Sequence, residues 1–383
     1  MDLVAEAERI AGDLGSARAE GDELRRLPDA VWKQLLEGGF LRALQPKRWG
    51  GGEADLTEFM DAIITLSRAN PSVGWVAGVI GVHPWQLALF DDRAQQEMWG
   101  DDPATMHSSS YNPTGKAQRV DGGYKVWGRW SFSSGCDHCR GVNLGAIVPG
   151  GDVPEFRSFL LRPDQYRIDD NWHVAGLKAT GSKDIVVDET FVPDHRTQSH
   201  IDYAVGATLP GQELNDGPLY RLPWSVVFNM ALASSIIGSA RGFLDEWIVQ
   251  TTDRVAPGVG RLANDSLTQR RLADAVWDID TAVTLLHTDA RSMWERAEVH
   301  ETPSMEDRAR LRWNSNRAVE RVAEACTELY RAASGRVAFV DHPLHSRFQD
   351  LQSGLGHAFL VPDPLARAVG GALLGTDHPE LVL

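Results

Sequence analysis

The chain has 383 residues, with 38 Lys and Arg against 53 Asp and Glu, for a formal charge of −15. Its hydrophobic share of 43% and charged share of 24% are those of a globular protein with room for two or three packed units, not of a disordered chain. The acidic balance excludes nucleic acid as the main partner and a polybasic membrane anchor, because both need clustered Lys and Arg.

Residues 1–105 read as helical. Asp2, Glu6, Glu8, Arg9 and Asp13 interrupt the start, which is not the apolar run of a signal peptide. Pro28-Asp29 opens a helix with Val31, Leu35 and Leu36 on one face, and Gly38-Gly39 closes it. Residues 47–52, with Trp49 and three glycines, read as a loop. Helical spacing returns over 58–68 through Phe59, Ile63 and Leu66. Residues 73–90 form an apolar, Gly-interrupted helical segment, and 91–99 a short polar one. The apolar stretches 73–85 and 226–240 fall short of the ~20 apolar residues that span a bilayer. Both read as buried helices, so no membrane partner is expected.

The pattern changes near residue 106. Val120-Asp121-Gly122-Gly123-Tyr124 is a hairpin signal. Residues 125–133, 142–148, 157–161 and 184–192 are short, β-rich and bounded by Gly, Pro or Asp, which suggests a compact β unit over 106–200. From residue 222 the helical pattern returns. Ser266-Leu-Thr-Gln269 reads as a capping box ahead of the stripe Leu272, Val276, Ile279, Val283 and Leu286. Thr302-Pro303 reads as the start of another long helix through Arg321 and Leu329, and a final helix is expected over 348–360. The order is helices, a β unit, then a helical bundle: an α+β chain, mainly α, with expected domains 1–105, 106–215 and 216–383.

No motif settles the chemistry alone. There is no G-x-G-x-x-G after a strand and no G-x-x-x-x-G-K-[ST], so a self-contained nicotinamide site of the usual kind is not expected. Cys136-Asp-His-Cys139 resembles half a zinc site, but Cys326 is the one other thiol, and small side chains in a turn explain it better. No metal is expected. Three cysteines make no disulfide framework and point to a reducing cytoplasm. Trp130-Ser-Phe132-Ser133-Ser134-Gly135 and Ser108-Ser109-Ser110-Tyr111-Asn112-Pro113 are hydroxyl-rich bends, each explicable as a turn. His83 lies in an apolar helix near Trp75 and Trp85, where a lone His is more often a satisfied core residue. Gly354-Leu-Gly356-His357 ends the bundle segment, and its glycines suggest either a cap or close approach of a flat group.

Together the pieces resemble a known family. The matching stretches include Leu24-Arg-Arg-Leu-Pro28, Leu44-Gln-Pro46, Trp49-Gly-Gly51, Gly74-Trp75, Gly81-Val-His83 and Leu87-Ala-Leu-Phe90. Further on they are Ser108-Ser-Ser-Tyr111, Ser133-Ser-Gly-Cys-Asp-His138, Gly176-Leu177, Thr180-Gly-Ser182 and Phe191-Val-Pro193. The chain resembles the acyl-CoA dehydrogenase fold: an N-terminal helical domain, a central β-barrel-like domain and a C-terminal four-helix bundle. Within it, the chain is similar to the oxygenase components of two-component flavin-dependent monooxygenases, above all the steroid-ring phenol hydroxylases, with 4-hydroxyphenylacetate hydroxylase oxygenases as more distant cousins. True acyl-CoA dehydrogenases carry a catalytic Glu where this chain reads Gly356-His357-Ala358, so α,β-dehydrogenation lacks its base.

The resemblance implies reduced flavin (FMNH2 or FADH2) from a separate reductase, and O2 activated as a C4a-hydroperoxide. It implies hydroxylation of a phenol ortho to its hydroxyl, in steroid or aromatic catabolism. It makes His357, His83 and Ser134 the catalytic candidates, with His357 accepting or holding the phenol proton. Ser134 or Ser133 would bond the flavin N5 edge. Trp75, Ser109, Ser110, Tyr111, Phe132 and Ala358 would line the ring. Arg254, Arg336 and Val337 match flavin-contacting positions that would come from a neighbouring subunit of a homotetramer. The rival readings are an acyl-CoA dehydrogenase-like or N- or S-oxygenating enzyme of the same fold, and a non-catalytic helical scaffold.

Overall fold

The computed structural model describes residues 2–150 and 155–376. The N-terminal part holds helices α1 (Leu3–Leu24), α2 (Asp29–Glu37), α3 (Leu56–Ala69), α4 (Pro71–Gly81), α5 (His83–Leu87) and α6 (Asp92–Trp99). Asn70 caps α4 by accepting from the Ser72 and Val73 N–H groups, and Pro71 fits the first turn because it needs no N–H there. The apolar segment expected as one unit breaks at Val82. Pro84 has no N–H for the carbonyl four residues back, so the ladder stops and α5 starts anew.

The β unit consists of β1 (Ser108–Val120), β2 (Gly123–Ser133), β3 (Val142–Val148), β4 (Glu155–Leu161), β5 (Arg167–Asp169), β6 (Lys183–Pro193) and β7 (Thr197–Ser199). Among the described residues they form one sheet in the order β5-β6-β2-β1-β3-β4-β7. The β1–β3 pair is parallel and the other pairs are antiparallel. Tyr124 on β2 and Phe159 on β4 meet at 5.3 Å between ring centroids, although β1 and β3 lie between their strands. A flat sheet would hold these strands about 14 Å apart, so the sheet curls over a single core while its order stays open. That is the barrel-like form expected. The serine-rich stretch from Ser108, expected as a bend, is instead the start of β1, and Asn112-Pro113 falls in a register shift between Ser110 and Gly115.

After α7 (His200–Val205) the chain enters α8 (Trp224–Thr252), a small hairpin of β8 (Val255–Ala256) and β9 (Gly260–Arg261), then α9 (Ser266–Glu298), α10 (Met305–Ala332), α11 (Pro343–Leu355) and α12 (Asp363–Leu374). Helices α8 to α11 are the bundle. By length and composition α8 could cross a membrane, but it is the buried central helix here. Three sequence expectations change. Asp265, not Ser266, caps α9, because its carboxylate accepts from both the N–H and the hydroxyl of Thr268 at 2.8 Å. Ser304 caps α10 in a reciprocal box with Asp307. The helix expected over 348–360 starts earlier, at Pro343, and ends at Leu355, and α12 follows it. The N-terminal helices and the bundle share one continuous core, in which Ile63, Val76, Ile236, Val322 and Leu351 are all buried.

Candidate active site

The end of β2 is irregular. Its pairing with β6 shifts register between Trp130 and Ser133, and Phe132 sits in the left-handed region at φ 68°. A bulge of this kind re-aims side chains. The Phe132 ring turns outward, 64% exposed, with its edge on Trp172 at 6.1 Å. Ser133 turns inward, fully buried, and donates to Ser108 Oγ at 2.9 Å. Its hydroxyl is therefore spent inside the sheet, and only Ser134 is left of the pair expected at a flavin. Trp75 on α4 donates its indole N–H to Ser134 Oγ at 3.2 Å.

His357 comes from the other side, just after α11. A Cβ on Gly354 would lie 2.5 Å from Ile236 Cδ1 and 3.1 Å from Trp75 Cζ3, so glycine lets α11 close onto the indole. The flat group that approaches Gly354 is Trp75 itself, whereas Gly356 is the C-cap of α11. Its ring meets His357 edge-on, with centroids 5.8 Å apart. His357 Nδ1 accepts the Phe359 N–H at 3.2 Å, so the neutral imidazole carries its proton on Nε2. Burial pushes its pKa down to about 4, which keeps it neutral at pH 7.

Two buried asparagines hold the turn that carries His357. Asn229 on α8 donates to the Phe359 carbonyl at 2.8 Å and to Asn316 Oδ1 at 2.6 Å. Asn316 on α10 donates to the carbonyls of Phe359 at 3.0 Å and Val361 at 3.1 Å. The Arg312 guanidinium lies 5.0 Å from the centre of the Phe359 ring. On α11, Asp350 accepts from the Leu177 N–H at 2.7 Å and from Arg18 at 2.5 Å, which joins the bundle to the loop after β5.

His83 is buried, and its Nδ1 has no partner among the described residues. It stacks on His107 at 5.0 Å, and both nitrogens of that ring are also unpartnered. Ring contacts run from His83 through Phe228 and Trp224 to Phe359 and His357. One aromatic wall thus joins the two histidines. Tyr111 stands in the same wall, edge-on to Trp224 at 5.2 Å, with its hydroxyl on Gln86. Trp85 is different: it is fully buried with its N–H on the Leu219 carbonyl, and belongs to the core.

The other expected residues lie as follows. Ser109 is half-buried on β1, while Ser110 is buried and donates to the Ser131 carbonyl at 2.7 Å. Ala358 is exposed beside His357. Arg254 follows α8 and reaches the Ala332 carbonyl at 3.4 Å, at the end of the bundle where exposed Arg336 and buried Val337 also lie. The Val337 carbonyl accepts from His345, near the start of α11, whereas His357 follows the end of that 13-residue helix. About 20 Å of helix separates those ends. Within one chain, then, the arginine end of the bundle and the Trp75–Ser134–His357 group are apart. Among the described residues no group of three His, Cys, Asp or Glu could hold a metal. Cys136 and Cys139 flank a short turn in which Asp137 pairs with Lys183 at 2.8 Å.

Sequence reasoning gave no role to Thr180, Ser182, Asn229 or Asn316, although Thr180-Gly-Ser182 is one of the stretches that carry the resemblance. The one signal for Asn229 was a polar residue inside an apolar helix.

Acyl-CoA dehydrogenase family models match two stretches, the N-terminal domain over residues 4–106 and the C-terminal domain over residues 230–362. The fold and these matches define a protein of acyl-CoA dehydrogenase architecture. The chain is 38% identical over 347 residues to the flavin-dependent monooxygenase oxygenase subunit HsaA of Rhodococcus jostii, covering 90% of this chain and 91% of that protein. It is 31% identical to the oxygenase component of a FADH(2)-dependent resorcinol hydroxylase from a Rhizobium species, covering 98% and 94%. The crystal structure of 3-HSA hydroxylase from Rhodococcus sp. RHA1 superposes with a TM-score of 0.94 at 35% identity, covering 100% of this chain and 99% of that one. The chain belongs to the oxygenase subunits of the flavin-dependent monooxygenases. It is an enzyme, and it works with flavin.

Proposed function

We propose that this oxygenase hydroxylates a phenolic ring at the carbon next to its hydroxyl, with flavin delivered already reduced, as FMNH2 or FADH2. The observation that carries the reading is the double contact of Trp75, which donates to Ser134 on one side and packs on His357 on the other. The site suits a flavin: an exposed ring at Phe132, the indole of Trp75 and one free polar handle at Ser134 offer flat apolar surface with a single hydrogen-bonding edge.

Bound reduced flavin supplies the two electrons with which O2 yields one oxygen atom to the ring and one to water. The chain's own groups orient the substrate and keep water out. The wall from His83 to His357 is built of aromatic rings, which disfavour water beside the reacting groups and so limit loss of the activated oxygen as H2O2. His83 offers an unpartnered Nδ1 to the phenol hydroxyl. His357 holds a proton on Nε2 rather than accepting one, because its Nδ1 is committed to the Phe359 N–H. A donor there bonds the phenol oxygen and steadies the charge of a substrate that binds as phenolate, its proton left in solvent, and phenolate is the form most open to electrophilic attack.

The similarity to the 3-HSA and resorcinol hydroxylases favours a phenol, and within phenols a steroid-derived one. The working form in this reading is a cytoplasmic homotetramer in which Arg254 and Arg336 reach the flavin phosphate of a neighbour. Val249, Val255, Phe339 and Val340, close to these arginines in sequence, are exposed, as a subunit contact would require. The test is a panel of phenolic steroids and simple phenols, run with a generic flavin reductase while O2 uptake, product and H2O2 are followed. Coupled formation of a catechol supports the reading. O2 uptake that ends only in H2O2 across the panel, or reduction of a dye by acyl-CoA, overturns it.

A further inference from the structure

Behind Ser134 runs a short relay of hydroxyls. Ser134 Oγ lies 2.7 Å from Ser182 Oγ, Ser182 Oγ lies 2.7 Å from Thr180 Oγ1, and Thr180 Oγ1 lies 2.8 Å from the Leu177 carbonyl. Three contacts share three protons. A carbonyl can only accept, so the last contact takes the Thr180 proton. Thr180 Oγ1 can then only accept, and it takes the proton of Ser182. Ser182 Oγ in turn takes the proton of Ser134. All three bonds form in this one orientation alone.

The relay is built firmly. Thr180 and Ser182 are buried, at 1% and 5% exposure. The Gly135 N–H donates to the Thr180 carbonyl at 2.8 Å, so the turn that holds Ser134 is clasped to the relay. Leu177, at its far end, sits in the left-handed region with its N–H on Asp350.

The consequence falls on Ser134. Its one proton points inward, and one of its two lone pairs receives the Trp75 N–H. What remains toward the site is a single acceptor. Flavin N5 changes character with redox state: reduced flavin carries an N5–H donor, whereas oxidised N5 only accepts. An acceptor at Ser134 bonds the first and opposes the second.

We propose that Ser182 and Thr180 are positioning residues that make the flavin site select reduced over oxidised flavin, by committing the Ser134 proton inward. This rests on the reading that Ser134 faces the N5 edge. The benefit suits an enzyme that collects its flavin from solution, where the oxidised form competes and the spent form must leave.

The test measures dissociation constants for oxidised flavin in air and reduced flavin under anaerobic conditions, with no substrate present. Ser182→Ala frees the Ser134 hydroxyl to rotate and donate to oxidised N5, so the ratio of the two constants is expected to fall about tenfold. Ser182→Thr keeps a hydroxyl and preserves the ratio. Ser134→Ala also lowers it. A ratio that changes in Ser134→Ala but stays within about twofold in Ser182→Ala overturns the relay. A ratio unmoved by Ser134→Ala overturns the placement of Ser134 at N5. The wild type gives an independent reading: selection of reduced flavin raises the midpoint potential of bound flavin above that of free flavin, and a potential at or below the free value overturns the proposal without any variant.

Discussion

Trp75 and His357 meet across the seam between the N-terminal helices and the bundle, with their ring planes at 61°. Trp75→Phe keeps a ring there and removes only the donor to Ser134. Flavin affinity is expected to fall roughly threefold to tenfold, since one neutral hydrogen bond is worth about 0.5–1.5 kcal/mol, with little change in thermal midpoint. Flavin titration beside a melting curve checks this. A large drop in midpoint with intact affinity would assign Trp75 to the core instead.

His357→Ala removes both the Nε2 proton and the acceptor for the Phe359 N–H. His357→Asn restores an acceptor at a position where Asn caps well. Both variants should release more H2O2 per O2 consumed and form product more slowly, while Asn alone keeps near-wild-type stability. If Asn restores coupling, the imidazole serves the turn and not the chemistry.

Asn316→Ala leaves the Val361 carbonyl without its donor and the Phe359 carbonyl with Asn229 only. Losing hydrogen bonds to a half-exposed turn costs about 0.5–1.5 kcal/mol. Urea denaturation should show that loss. Coupling of O2 use to product should fall with it, because the turn that carries His357 loosens.

Gly354→Ala places a methyl 2.5 Å from Ile236 Cδ1 and 3.1 Å from Trp75. Overpacking of this kind costs about 1–3 kcal/mol. Unlike the asparagine variant, it should weaken flavin binding directly, because the indole must shift off Ser134. Titration of both variants side by side separates the two effects.

Acid should destabilise the fold before it protonates the carboxylates. Burial lowers the pKa of His107 and His200 to about 3, of His357 to about 4, and of His83 well below the usual imidazole value. In the unfolded chain these rings titrate near 6.5. Between pH 6.5 and about 4 the unfolded state therefore binds more protons, so stability falls as pH falls through that window and is flat in these groups above it. Melting curves at pH 7.5 and 5 should differ by several degrees, and His107→Leu should flatten the difference. An unchanged midpoint would remove the buried histidines as the cause.

Much of the fold was readable in the residues. Asp121-Gly122 placed the hairpin, and the apolar run of residues 142–148 placed β3 to the residue. Caps were less legible: Ser266-Leu-Thr-Gln269 fits a capping box, yet the neighbouring carboxylate of Asp265 is the stronger acceptor and wins. For the site, resemblance pointed to Trp75, Ser134 and His357, and the fold brings those three together. It could not choose between Ser133 and Ser134, because a one-residue bulge decides which hydroxyl faces outward. Nor could local pattern reveal Thr180, Ser182, Asn229 or Asn316. Asn229 and Asn316 meet carbonyls far away in sequence, and the local contacts among Leu177, Thr180 and Ser182 gain a role only once Ser182 meets Ser134 in the closed fold.

The Asp350 carboxylate has a last consequence. It belongs to the helix that precedes His357, yet it grips the Leu177 backbone at the far end of the hydroxyl relay from Ser134. The turn that carries His357 and the loop that carries the relay are built on different folding units. They nonetheless share one reference point, so a shift of the bundle is felt at both together and the distance between them is kept.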